Sequence, residues 1–92
     1  MPPTYLDVCK DPQFEEQLNA LLPEGRRADE FTMGAEWRLA REPAAGTCVD
    51  EEENVWFLPI NTLDGTVYLN YTFDSNKVYL LSIRVSPDYA PG

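Results

Sequence analysis

Chemistry in this chain would have to come from few residues. The hairpin-like stretch Thr66 to Ser86, TVYLNYTFDSNKVYLLSIRVS, holds one arginine near its end, Arg84, and a guanidinium there can stabilise developing negative charge or pair with a partner carboxylate. The run DEEEN at 50–54 offers four consecutive acids, but neighbouring side chains in a loop point different ways, and such a run is read as a solvated turn rather than a metal site. Two cysteines, Cys9 and Cys48, could close a single bridge, and in a reducing compartment they are read as free thiols. There is no histidine and no CxxC pair, which argues against zinc, and no feature of the chain calls for a cofactor.

The bulk properties narrow the field further. Ninety-two residues make one small domain, taken as 1–92 with 86–92 as a flexible tail. Sixteen acidic residues against seven basic ones leave a net charge of −9, and a surface of that sign repels phosphate backbones, so tight direct nucleic-acid binding is not expected. No run is long and apolar enough to span a bilayer, and MPPTYLDVCK lacks the layout of a secretion signal, so the expectation is a cytoplasmic protein with no membrane partner.

The elements that would position these residues follow from periodicity. TYLDVC, from Thr4 to Cys9, reads as a first strand. Asp11 and Pro12 form an N-cap and first helical position, and Phe14, Leu18, Leu21 and Leu22 then make one apolar stripe that Pro23 and Gly25 end. A second helix is predicted from about Arg27 to Arg41, burying Ala28, Phe31, Ala35 and Leu39, with Trp37 packed against the first helix. NVWFLPIN is a strand whose Pro59 suits an edge or a bulge, and Thr66 to Phe73 and Val78 to Val85 are two strands joined by DSNK. Simple alternation puts Val67, Leu69, Tyr71 and Phe73 under the helices with Tyr79, Leu81, Ile83 and Val85. It leaves Tyr68, Leu80 and Arg84 on the outer face, where Trp56 and Leu58 join them.

The order strand, two helices, three strands, with FEEQLNALL in the first helix, EWRLAREPAAG closing the second and the final hairpin YTFDSNKVYLLSI, resembles the RelE/ParE family of small bacterial toxins. That resemblance implies an α+β fold, two helices on one face of a small, mainly antiparallel sheet, and an antitoxin-like partner. Members that cut messenger RNA on the ribosome carry cations on their second and third strands and an arginine with a tyrosine or histidine at or after the last; other members act on gyrase. Carried onto this chain, the resemblance leaves Arg84 and Tyr89 as catalytic candidates, while 55–60 and 66–73 contain no lysine or arginine.

Three functions therefore stand as expectations: a toxin-type protein held by an antitoxin, a non-catalytic interaction module with the same fold, and an atypical ribosome-dependent endonuclease. In the first two the outer face, with Trp56, Leu58, Tyr68, Leu80 and Arg84, is the partner-binding surface, because aromatics and arginine are the residue types that anchor interfaces.

Overall fold

A computed structural model describes residues 5–21, 25–62 and 65–87, without the side chains of 25–30. Strand β1 (Asp7–Lys10) leads into helix α1 (Pro12–Leu21) and helix α2 (Gly25–Arg41). A 3₁₀ turn, Pro43–Ala45, precedes β2 (Thr47–Asp50), β3 (Val55–Thr62), β4 (Gly65–Phe73) and β5 (Lys77–Val85). The sheet order is β1-β5-β4-β3-β2, with β1 parallel to β5 and every other pair antiparallel.

Helix α1 begins where the sequence says it must. Asp11 Oδ1 accepts the Gln13 N–H at 2.8 Å, and Pro12, with no N–H to satisfy, takes the first helical position. Phe14 and Leu18 on α1, and Ala35 and Leu39 on α2, pack with Leu58, Val67, Leu69, Tyr71, Val78, Leu80 and Ile83 into one core on a single face of the sheet. Leu21 and Phe31, expected inside, lie at its margin. A salt bridge between Lys10 Nζ and Glu36 Oε1, 3.4 Å apart, ties the end of β1 to α2; being half in water it contributes about 0–1 kcal/mol.

The sheet departs from simple alternation at β5. Asn70 pairs with Ser82 but Tyr71 pairs with Leu80, so Leu81 is the extra residue of a bulge. One inserted residue reverses the facing of everything before it. Val78 and Leu80 consequently point into the core, and Tyr79 points outward, with Leu81 only half-buried. This corrects the expectation that Tyr79 and Leu81 lie under the helices and that Leu80 faces outward. The pairing of β1 ends opposite Leu80, and beyond it Gln17 Oε1 on α1 accepts the Ile83 N–H at 2.8 Å.

Two further expectations change. Residues 47–50 form β2, a strand that short length and a following acid run conceal in the sequence. Trp37 is not packed against α1 but 64% exposed, because α2 turns its Thr32, Ala35 and Leu39 side to the sheet and Trp37 falls opposite. Pro59 fits its place: β2 pairs only as far as Phe57, so beyond it the edge of β3 needs no donor. Cys9 and Cys48 sit on β1 and β2, at opposite edges of the sheet, four strand spacings or about 19 Å apart, too far for a bridge.

Candidate functional site: the outer face of the sheet

Cross-strand register builds this face in rows. On the helix side the rows are Trp56–Tyr71–Leu80, Leu58–Leu69–Ile83 and Ile60–Val67–Val85. On the other side they are Pro59–Tyr68–Arg84 and Phe57–Asn70–Ser82. No helix of the described residues contributes to the core from that side, since every helical core residue packs with the inward rows.

Of the residues assigned to the outer face from sequence, Tyr68 and Arg84 are there, directly opposite each other on β4 and β5. Arg84 is exposed and has no ion-pair partner among the described residues. Leu58 and Leu80 are buried core residues, a correction for both: Leu58 pairs with inward-facing Leu69, and the bulge turns Leu80 inward. Trp56 also belongs to the helix side. Its ring lies 5.2 Å from that of Phe73 and 6.5 Å from that of Tyr71, and its Nε1–H donates to Asn54 Oδ1 at 2.9 Å. Tyr89 lies outside the described residues.

The structure adds residues that alternation misassigned by one position. Phe57 takes the place expected for Trp56 and Leu58, with its ring stacked on Tyr68 at 5.3 Å and 29°. Ser82 Oγ and Asn70 Oδ1 are 3.3 Å apart in the neighbouring row. Pro59, two residues from Phe57, shares its face and is exposed there, but the facing of β3 follows from its pairing with β4.

This surface combines a stacked aromatic pair, a guanidinium with no ion-pair partner among the described residues and a serine–asparagine row. Such a set can bury aromatic area against a protein and hold a carboxylate or carbonyl at Arg84. As an RNA-cleaving centre it would supply a single cation from β3, β4 and the end of β5, against the several that a phosphorane needs.

Two polar clusters support the frame. At the β4–β5 turn, Asp74 Oδ1 accepts the N–H groups of Asn76 and Lys77 at 2.7 and 2.8 Å, which hold its carboxyl below the ordinary value. Two residues before the end of β4, the Tyr71 hydroxyl donates to Pro43 O at 2.7 Å and accepts from Gly46 N–H at 3.0 Å. Burial pushes this phenol above its ordinary value of 10.0, and the Gly46 bond and the charge of Arg38 pull it part of the way back. Gly46 has no room for a side chain: a Cβ would collide with the Phe57 carbonyl oxygen and stand 2.8 Å from the Tyr71 hydroxyl.

No family model matches the sequence, and no curated protein matches it. Among solved structures, the fold is similar to a chain in the crystal structure of the toxin–antitoxin complex RelBE2 from Mycobacterium tuberculosis. The TM-score is 0.72 at 21% identity, covering 90% of this chain and 93% of that one. The fold is therefore RelE-like, two helices packed on a five-stranded mixed sheet.

Proposed function

We propose that this protein is a toxin-type member of a toxin–antitoxin pair, held by an antitoxin-like protein across the outer face of its sheet. The observation that carries the reading is the row Pro59–Tyr68–Arg84 beside the Phe57–Tyr68 stack, an aromatic and arginine surface with no helix of the described residues over it, on a RelE-like fold. Phe57 and Tyr68 would supply the buried area and Arg84 the charge-assisted contact. The cations of messenger-RNA-cleaving relatives are absent from 55–62 and 65–73, so the reading assigns the surface to protein binding rather than to strand cleavage.

The test is induced expression alone and beside the adjacent open reading frame. Growth arrest relieved by the neighbour supports the reading, and Tyr68→Ala should weaken the complex by about 2 kcal/mol with the fold intact. Harmless expression of the folded protein, with binding to a partner retained, would favour the non-catalytic interaction module, for which the missing cations already speak. Sub-micromolar, salt-sensitive binding of generic RNA would favour the endonuclease.

A further inference from the structure

An open cleft of about 550 Å³ lies where α1, α2 and the end of β1 meet, a volume in the range of sites that hold small molecules. Glu15, Leu18 and Asn19 line it from α1, brought to one face by the helical repeat at i, i+3 and i+4. Thr32, Met33 and Glu36 line it from α2. Lys10 lines it from β1, its ammonium held 3.4 Å from Glu36 Oε1.

Thr32 makes this cleft more than a gap between helices. It is 7% exposed, and its hydroxyl oxygen is buried with no hydrogen-bond partner among the described residues. A threonine inside a helix ordinarily turns this group back on the carbonyl four residues earlier, and one that forgoes the bond without meeting water carries an uncompensated desolvation cost. Because no bond holds the hydroxyl, both χ1 rotamers that a helical threonine adopts are open to it, and it is free to turn to a donor that enters the cleft. On the facing helix, the side chains of Glu15 and Asn19 also have no hydrogen bond or ion pair among the described residues.

We propose that this cleft binds a primary ammonium carried on a short aliphatic stem. The Glu15 carboxylate, Asn19 Oδ1 and Thr32 Oγ1 are unpartnered acceptors in its lining, and a primary ammonium brings three N–H donors and no acceptor. Leu18, between Glu15 and Asn19 on α1, and Met33 beside Thr32 give the stem an apolar surface. Charge selects a cation over an anion. The lining holds two carboxylates against one ammonium, on a chain of net charge −9. Lys10 already neutralises Glu36, so the carboxylate left open is that of Glu15, and an anion would have to take Lys10 from its partner. The cleft lies on the helix side of the sheet, so the proposal stands apart from the partner assigned to the outer face.

Titration of the isotope-labelled chain with n-butylammonium, followed by amide chemical shifts, tests the inference. The expected result is saturable binding in the millimolar range, with shifts centred on 15–19 and 32–36. Tetramethylammonium, which has the same charge and no N–H to donate, should give no saturable shifts at equal ionic strength. Thr32→Val, which puts a methyl in place of the hydroxyl, should weaken binding about fivefold while the melting temperature holds or rises, since an unpaired buried group is removed. Glu15→Gln should weaken it by a similar factor, and Glu51→Gln, in the exposed acidic run, should not. The sources of such an ammonium separate in the same assay: tighter binding of Nα-acetyl-lysine amide points to a protein lysine and tighter binding of putrescine to a free diamine, and either upholds the proposal. Absence of saturable binding into the tens of millimolar, an equal response to tetramethylammonium, or undiminished binding by Thr32→Val overturns it.

Discussion

Gln17 Oε1 on α1 accepts the backbone N–H of Ile83 at 2.8 Å, so a helix side chain takes up a β5 donor that lies past the end of β1. Removing it by Gln17→Ala would leave that half-buried N–H unpaired, at a cost of about 1–2 kcal/mol. The urea midpoint should fall, and hydrogen exchange at the Ile83 amide should speed up. The exposed neighbour Glu16→Ala should change neither quantity. Equal behaviour of the two variants would dismiss Gln17 as the partner of the Ile83 amide.

The bulge itself is open to a paired truncation. Leu80→Ala should cost about 2–5 kcal/mol because Leu80 is fully enclosed between the sheet and the helices. Leu81→Ala, at the half-buried extra residue, should cost about 1 kcal/mol or less. Thermal melts that rank the two the other way would restore uninterrupted alternation in β5.

Tyr71 gives the fold an alkaline limit. Its phenol is raised in the folded state, so the neutral form is favoured by folding. The stability this contributes is complete below the unfolded value of 10.0 and is lost as pH climbs from there through the folded pKa. Tyr71→Phe should be about 1–3 kcal/mol less stable at neutral pH, with Gly46 N–H and Pro43 O left without their hydroxyl. It should also decline less steeply than the parent above pH 10, as read from denaturant midpoints across that range. Parallel profiles for the two proteins would rule out Tyr71 as the source of the alkaline loss.

Local signals in the sequence carried much of this fold, and non-local ones carried little. Asp11–Pro12 is a complete instruction for a helix start, because cap and first position act within two residues. Asp74 works the same way at its turn, where its carboxylate collects the amides of Asn76 and Lys77. The facing of Leu80 is different in kind. It depends on where β5 slips against β4, a relation between two strands rather than a property of either one. Trp56 and Leu58 failed for a related reason: β3 has no turn residue that fixes which of its two faces goes inward, so the pairing of Leu58 with Leu69 decides it. At the candidate site this left Tyr68 and Arg84 legible, both from uninterrupted alternation in one stretch of strand, while Phe57 stayed hidden. Trp37 misled because size argues for burial, whereas the helical angle set by Ala35 and Leu39 turns it to solvent.

The parallel pairing of β1 with β5 has a consequence for how the chain is made. Val8 finds its partner only at Val78, and the apolar stripe of α1 packs on that same last strand of the sheet. On the ribosome, β1 and both helices emerge with nothing to cover them, and the β2–β3–β4 meander can form before either helix has a complete seat. Closure of the fold thus waits for β5, a long loop to close and a slow step by its topology. A chain cut short before Lys77 would lose its first strand and its helical layer together rather than a single edge. Until β5 emerges, Phe14 and Leu18 are exposed to chaperones or to aggregation.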